Sequence, residues 1–169
     1  MPEPGLRGLV RRAADLYGRL LTALLALFVL ILVIPVTMQI VSRHTHLLPH
    51  YIWTEEMARF LLVYTIMIGA VVGQREGIHF IVDLWPNLTG RARAFMDIVS
   101  GLFVLAFGAV FLWFGIEFVD FAWFRISELA ELPLWLIHLP WPILGFSWLL
   151  FGGIKFADDL RILFGREAA

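Results

Sequence analysis

Apolar residues run almost unbroken from Leu20 to Ser42, from about Ile52 to Gln74, from about Ala94 to Phe118 and from about Leu134 to Ile154. Crossing a bilayer takes roughly 20 helical residues, so each run is long enough for one transmembrane helix. The first and fourth runs carry no charge, and Pro35 predicts a kink in the first. The third has Asp97 and Glu117 only, both near its ends. Ahead of the first run, Leu6, Leu9, Val10, Ala13, Leu16, Tyr17 and Leu20 recur at helical spacing, with Arg7, Arg11, Arg12 and Arg19 mainly elsewhere on the wheel. That pattern predicts an amphipathic helix lying in the membrane interface. A second short interfacial helix is expected between spans two and three, in "GIHFIVDLWPNLTG", where Pro86, Asn87 and Gly90 then make a turn. The expected fold is an all-α integral membrane protein in one membrane domain, residues 1–169. It has four transmembrane helices, an N-terminal amphipathic interfacial helix and a short interfacial helix between spans two and three.

Composition agrees with this pattern. The chain of 169 residues is 60% hydrophobic and only 16% charged, which is too apolar for a soluble domain of this size. Cysteine is absent, excluding disulfides and thiolate metal sites. The first run is too long for a signal peptide and no small-x-small cleavage pattern follows it, so it reads as an uncleaved span. Four spans put both termini on one side. That side carries Arg7, Arg11, Arg12, Arg19, Arg75, Arg91, Arg93, Lys155, Arg161 and Arg166, against Arg43 and Arg125 opposite. The positive-inside rule then makes both termini cytoplasmic. Most of the seven Trp fall near span ends, where an aromatic belt would sit.

The second span is different. "YIWTEEMARFLLVY" puts Glu55, Glu56 and Arg59 at the mouth of an apolar run. The uncharged part, from Phe60 to Gln74, reaches about 22 Å at 1.5 Å per residue, short of the ~30 Å hydrocarbon core. The span is therefore expected to take in Arg59 and Glu56, both within about two turns of the outer surface, with Trp53 as an interfacial anchor. Glu55 and Glu56 stand four and three residues before Arg59, the favourable order for helical ion pairs. Three readings follow: an edge pair that snorkels and does nothing more, a buried pair that fixes helix register, or part of an ion pathway. The middle of every span lacks ionisable groups, which tells against the last.

Glycines add a packing signal. Gly69, Gly73 and Gly77 are spaced by four; Gly101, Gly108 and Gly115 by seven; Gly145 and Gly152 by seven. Small residues on one face let helices approach closely in lipid. His44, His46 and His50 cluster after span one, and His138 enters span four from the same side, which raises a haem-binding anchor as an alternative. No nucleophile–base pair, phosphate loop, zinc spacing or carboxylate dyad is present, so an enzyme is not expected, nor a cofactor, nor a nucleic-acid partner.

The pattern W-x-E-E-x-x-R-F followed by "GAVVGQREGIHFIVDLW" resembles the small membrane subunit, DctQ-like, of tripartite ATP-independent periplasmic (TRAP) transporters. The residues that carry the resemblance are Trp53, Glu55, Glu56, Arg59, Gly69, Arg75, Gly77, His79 and Asp83. Ser127, Pro133, Trp135 and Pro140 look like the family's outer loop and fourth span. The resemblance implies a non-catalytic scaffold subunit of a sodium-coupled importer of organic acids in a bacterial or archaeal inner membrane. Its partners would be a large multi-pass TRAP subunit, a periplasmic substrate-binding protein that it helps to dock, and membrane lipids. The expected structural or subunit-contact residues are Trp53, Glu55, Glu56, Arg59, Gly69, Gly73, Arg75, Gly77, His79 and Asp83.

Overall fold

A computed structural model describes residues 6–45, 49, 51–76 and 91–164, the side chains of 6–7 and 91–94 excepted. Four helices in it are long and apolar enough to cross a membrane. Helix α1 is Leu6–His44, α2 is Trp53–Arg75, α3 is Arg91–Ala122, and the fourth span is made of a short α4, Trp135–His138, followed at once by α5, Pro140–Leu163. Pro140 sits at the first position of α5, where its missing N–H costs nothing.

The expected spans are all present, with one difference of form. The amphipathic N-terminal stretch is not a separate element, because α1 runs without interruption through it and through Pro35. Tyr17 explains this. It lies on the buried side of the same continuous helix, its hydroxyl 2.9 Å from Ser147 Oγ and its ring stacked on Phe151. The stretch is therefore anchored to α5, although Leu9, Val10, Leu16 and Leu20 stay exposed. The expected interfacial helix between spans two and three lies outside the described residues.

The helices pair antiparallel, α1 with α2 and α3 with α5, and the two pairs meet through α2 and α5. Leu21 of α1, Ile68, Val71 and Val72 of α2 and Leu144 of α5 form the central cluster, with Tyr17, Phe28, Tyr64, Phe111 and Trp148 packed around it. In lipid, apolar burial alone does not hold helices together, so close backbone approach matters more. The α3–α5 seam supplies it. A Cβ on Gly145 would fall 2.3 Å from Leu112 N and 2.7 Å from the Gly108 carbonyl, and one on Gly115 would fall 2.6 Å from Pro142 N. Gly69, by contrast, leaves ordinary room, 3.8 Å to Leu25. At Gly69 the stripe spaced by four is thus not tight, whereas the stripes spaced by seven are tight at Gly108, Gly115 and Gly145. Gly77 lies outside the described residues.

Polar side chains tie the elements where the helices end. Gln39 Nε2 donates to the Thr54 carbonyl at 2.8 Å, closing the α1–α2 pair, and Tyr64 donates to the Leu136 carbonyl at 2.8 Å, closing α2 onto the fourth span. At the end shared by the two termini, Arg11 forks onto Asp158 at 2.6 and 2.7 Å, and Arg161 reaches the same carboxylate at 3.4 Å. These groups are substantially solvent-exposed, so Asp158→Asn is expected to cost at most about 1 kcal/mol, less in high salt. Thermal unfolding of the purified variant at two ionic strengths checks this.

Candidate functional site

The end of the bundle opposite the termini carries the charged stretch. Helix α2 begins at Trp53 without a side-chain cap, although Thr54 Oγ1 donates to the Tyr51 carbonyl at 2.7 Å. Glu55 and Glu56 fall in the first helical turn, where carboxylates complement the positive end of the helix dipole. The two then diverge. Glu55 points toward α1, 3.9 Å from Arg43. Glu56 turns inward and is 8% exposed.

Glu56 is met by a loop from the other helix pair. Between α3 and α4 the chain folds into a narrow hairpin. Ile126 bridges Pro133, the Ser127 N–H donates to the Leu132 carbonyl at 2.8 Å, and the Leu134 N–H donates to Arg125 at 2.9 Å. The tip needs a left-handed residue, and Glu131 takes it with φ 54°. The tip N–H groups of Leu129 and Ala130 both point at Glu56 Oε2, at 3.0 and 2.7 Å. The Ser127 hydroxyl faces the same carboxylate and accepts the Leu132 N–H at 3.1 Å. A buried carboxylate is costly unless hydrogen-bonded, and here backbone donors from a neighbouring loop satisfy it. Glu56 is a latch that ties the hairpin to α2, joining the two helix pairs at this end.

Arg59 behaves otherwise. It is exposed, one turn further along α2. Its charge acts on Glu56, but it is not buried between helices, so the pair read from the sequence is split. Arg59 and Arg125 instead line an open cleft of about 530 Å³ together with Glu56, Ser127 and Glu128. The Arg125 guanidinium lies over the Phe121 ring, 3.9 Å from its centroid. Trp53 is exposed beside Tyr51 at the same end.

At the terminal end, Arg75 pairs with Asp15 at 3.3 Å and lies flat on Gly18, where a Cβ would fall 2.4 Å from its Nε. Arg75 therefore ties α2 to α1. Gly73 is half-buried on α2. Gly77, His79 and Asp83 lie outside the described residues. His44 donates from Nδ1 to the Ile40 carbonyl of its own helix, and His138 packs against Phe118. His46 and His50 lie outside the described residues. Sequence reasoning missed Ser127 as a latch residue, and the Gly18–Arg75 and Tyr17–Ser147 contacts. The available signal for the first was the resemblance of Ser127 and Pro133 to the family's outer loop.

Comparison with known proteins agrees with this architecture. The family model for the DctQ component of tripartite ATP-independent periplasmic transporters matches residues 32–162. The sialic acid TRAP transporter permease protein SiaT of Haemophilus influenzae is 36% identical over 93 residues, covering 54% of this chain and 15% of that protein. The C4-dicarboxylate TRAP transporter small permease protein DctQ of Rhodobacter capsulatus is 30% identical over 95 residues, covering 54% of this chain and 42% of that protein. The chain thus matches less than half the length of either relative. No solved structure matches it. With four membrane-length helices and a family match over most of its length, the chain is a multi-pass membrane protein that belongs to the DctQ component family of TRAP transporters.

Proposed function

We propose that this chain is the static scaffold subunit of a sodium-coupled TRAP importer of organic acids in the inner membrane, with both termini cytoplasmic. It would support a large multi-pass subunit and present its latched end to a periplasmic substrate-binding protein. The observation that carries the reading is the placement of charge: among the described residues the charged side chains stand near the two ends of the bundle, and the span centres hold none. A chain that moved an anion or sodium through its own helices would need polar groups at several depths. The solute route therefore belongs to a partner. The named relatives act on sialic acid and C4-dicarboxylates, both acids, which supports an acidic substrate here. The exposed apolar faces of α1 and α3, including Leu30, Ile34, Phe103, Phe107 and Trp113, offer the surface on which a large membrane partner and lipid would lie.

Within this reading Trp53 and Arg59 are contact residues, exposed at the latched end, Glu55, Glu56 and Arg75 hold the bundle that presents them, and Gly69 and Gly73 lie on the α2 face of the bundle. Gly77, His79 and Asp83 are proposed to serve the opposite interface. Co-expression of a tagged chain with a large TRAP subunit and a binding protein tests it. The large subunit should co-purify, uptake should need all three chains and a sodium gradient, and the isolated chain in liposomes should move nothing. Arg59→Ala is expected to leave the isolated chain folded yet lower complex yield or uptake by up to about tenfold. Transport by the isolated chain would overturn the scaffold reading.

A further inference from the structure

We infer that the cleft between Arg59 and Arg125 seats the phosphate of a membrane phospholipid headgroup. Three observations converge on it. First, among the described residues neither arginine forms an ion pair, although Arg59 acts electrostatically on Glu56 and Glu128 also lines the cleft. The Glu56 carboxylate in the cleft is already occupied by the Leu129 and Ala130 N–H groups. Two guanidiniums therefore face an open space of about 530 Å³ with donors to spare, and their forked geometry suits phosphate oxygens.

Second, the cleft stands at headgroup depth. Arg59 is six residues into α2, about 9 Å from the start of a helix about 34 Å long. Arg125 is three residues past the end of α3. Against a ~30 Å hydrocarbon core, both fall near its edge. Third, the rim is apolar and open. Ile126, 68% exposed, and Leu129 line the cleft, and Phe124, next in sequence to Arg125, is 94% exposed. Phe121, under Arg125, continues the exposed face of α3. A soluble acidic protein would find this rim unfavourable, while a phospholipid has acyl chains to lay on it. Phosphate between the arginines and acyl chain along Phe121 and Ile126 satisfies both halves of the surface. A seated lipid gives Arg59 a role that precedes any protein partner.

The test uses the purified full chain without a large subunit, with a TRAP binding protein added in one arm, so its failure leaves the scaffold reading standing. Native mass spectrometry is run after extraction and after exchange into phosphatidylethanolamine–phosphatidylglycerol nanodiscs. The wild-type chain is expected to retain one phospholipid that survives collisional release of the others. Arg59→Gln and Arg125→Gln are each expected to lower its retention by about tenfold or more. Arg43→Gln, outside the cleft, should retain it, and size-exclusion profiles identify any variant that fails to fold. Glycerol phosphate, which lacks acyl chains, should not compete. Equal retention by the wild type and the two cleft variants overturns the inference, as does full competition by glycerol phosphate, which would make the cleft a soluble-anion site. It is likewise overturned if a TRAP binding protein, and not lipid, binds the wild type and is lost in the cleft variants.

Discussion

Gly145→Ala is expected to destabilise the chain by about 3 kcal/mol, the largest effect of any single methyl group in the bundle. The reason is the identity of the atoms it would strike. The added Cβ meets Leu112 N and Cα and the Gly108 carbonyl, all backbone of α3. Backbone cannot swing aside as a side chain can, so the two helices must separate. Separation loosens the most extensive helix contact in the molecule. Gly69→Ala is the control. Its Cβ would rest at van der Waals distance from Leu25, and alanine is the better helix former, so stability should stay within about 1 kcal/mol of wild type. Unfolding midpoints of both variants in a detergent titration measure the difference. Equal midpoints would mean that α3 and α5 do not approach as closely as described.

The second large effect is expected at the latch. Glu56→Ala removes the acceptor of two backbone N–H groups and strands them beside a buried wall, at about 1–3 kcal/mol for each group left unpaired. A hairpin can relieve that cost by opening to water. The expected result is therefore local: amide exchange at Leu129, Ala130 and Leu132 faster by tenfold or more, with α3 and α5 little changed. Glu56→Gln keeps one carbonyl oxygen in place and should fall between the two. Hydrogen exchange read by mass spectrometry on peptides covering residues 125–134 decides it. Unaltered exchange in Glu56→Ala would show that the hairpin holds itself.

The helical plan was legible in the sequence because a membrane imposes a simple rule. Runs such as Leu20–Ser42 and Ile52–Gln74 have no other use in a chain this apolar, and α2 begins and ends within one residue of the expected span. The stripes Gly108–Gly115 and Gly145–Gly152 were legible for a similar reason, since small residues repeat where helices touch. Gly69 carried the same signature without the tight contact: spacing shows which face is small, not what lies against it. The continuity of α1 was hidden, because the basic stretch before Arg19 has the pattern of an independent surface helix. Contacts such as Tyr17–Ser147, Arg11–Asp158 and Asp15–Arg75 reveal that it stays with the bundle. The site was half legible. Glu55, Glu56 and Arg59 stood out as charges in an apolar run, but their partners did not. Glu56 is held by backbone groups 73 and 74 residues away, and an N–H leaves no mark on the sequence. Sequence proximity suggested Arg59 as the partner, and tertiary packing chose the loop.

The length of α1 sets how the molecule responds to its surroundings. Thirty-nine residues make a rod of about 58 Å, nearly twice the thickness of the oily layer it crosses. Because Asp15 and Arg11 pin it to α2 and α5 near one end and Gln39 pins it near the other, it has little freedom to slide. When the bilayer thins or swells, the bundle must lean as a single body, and the angle of that lean is passed to whatever rests against it.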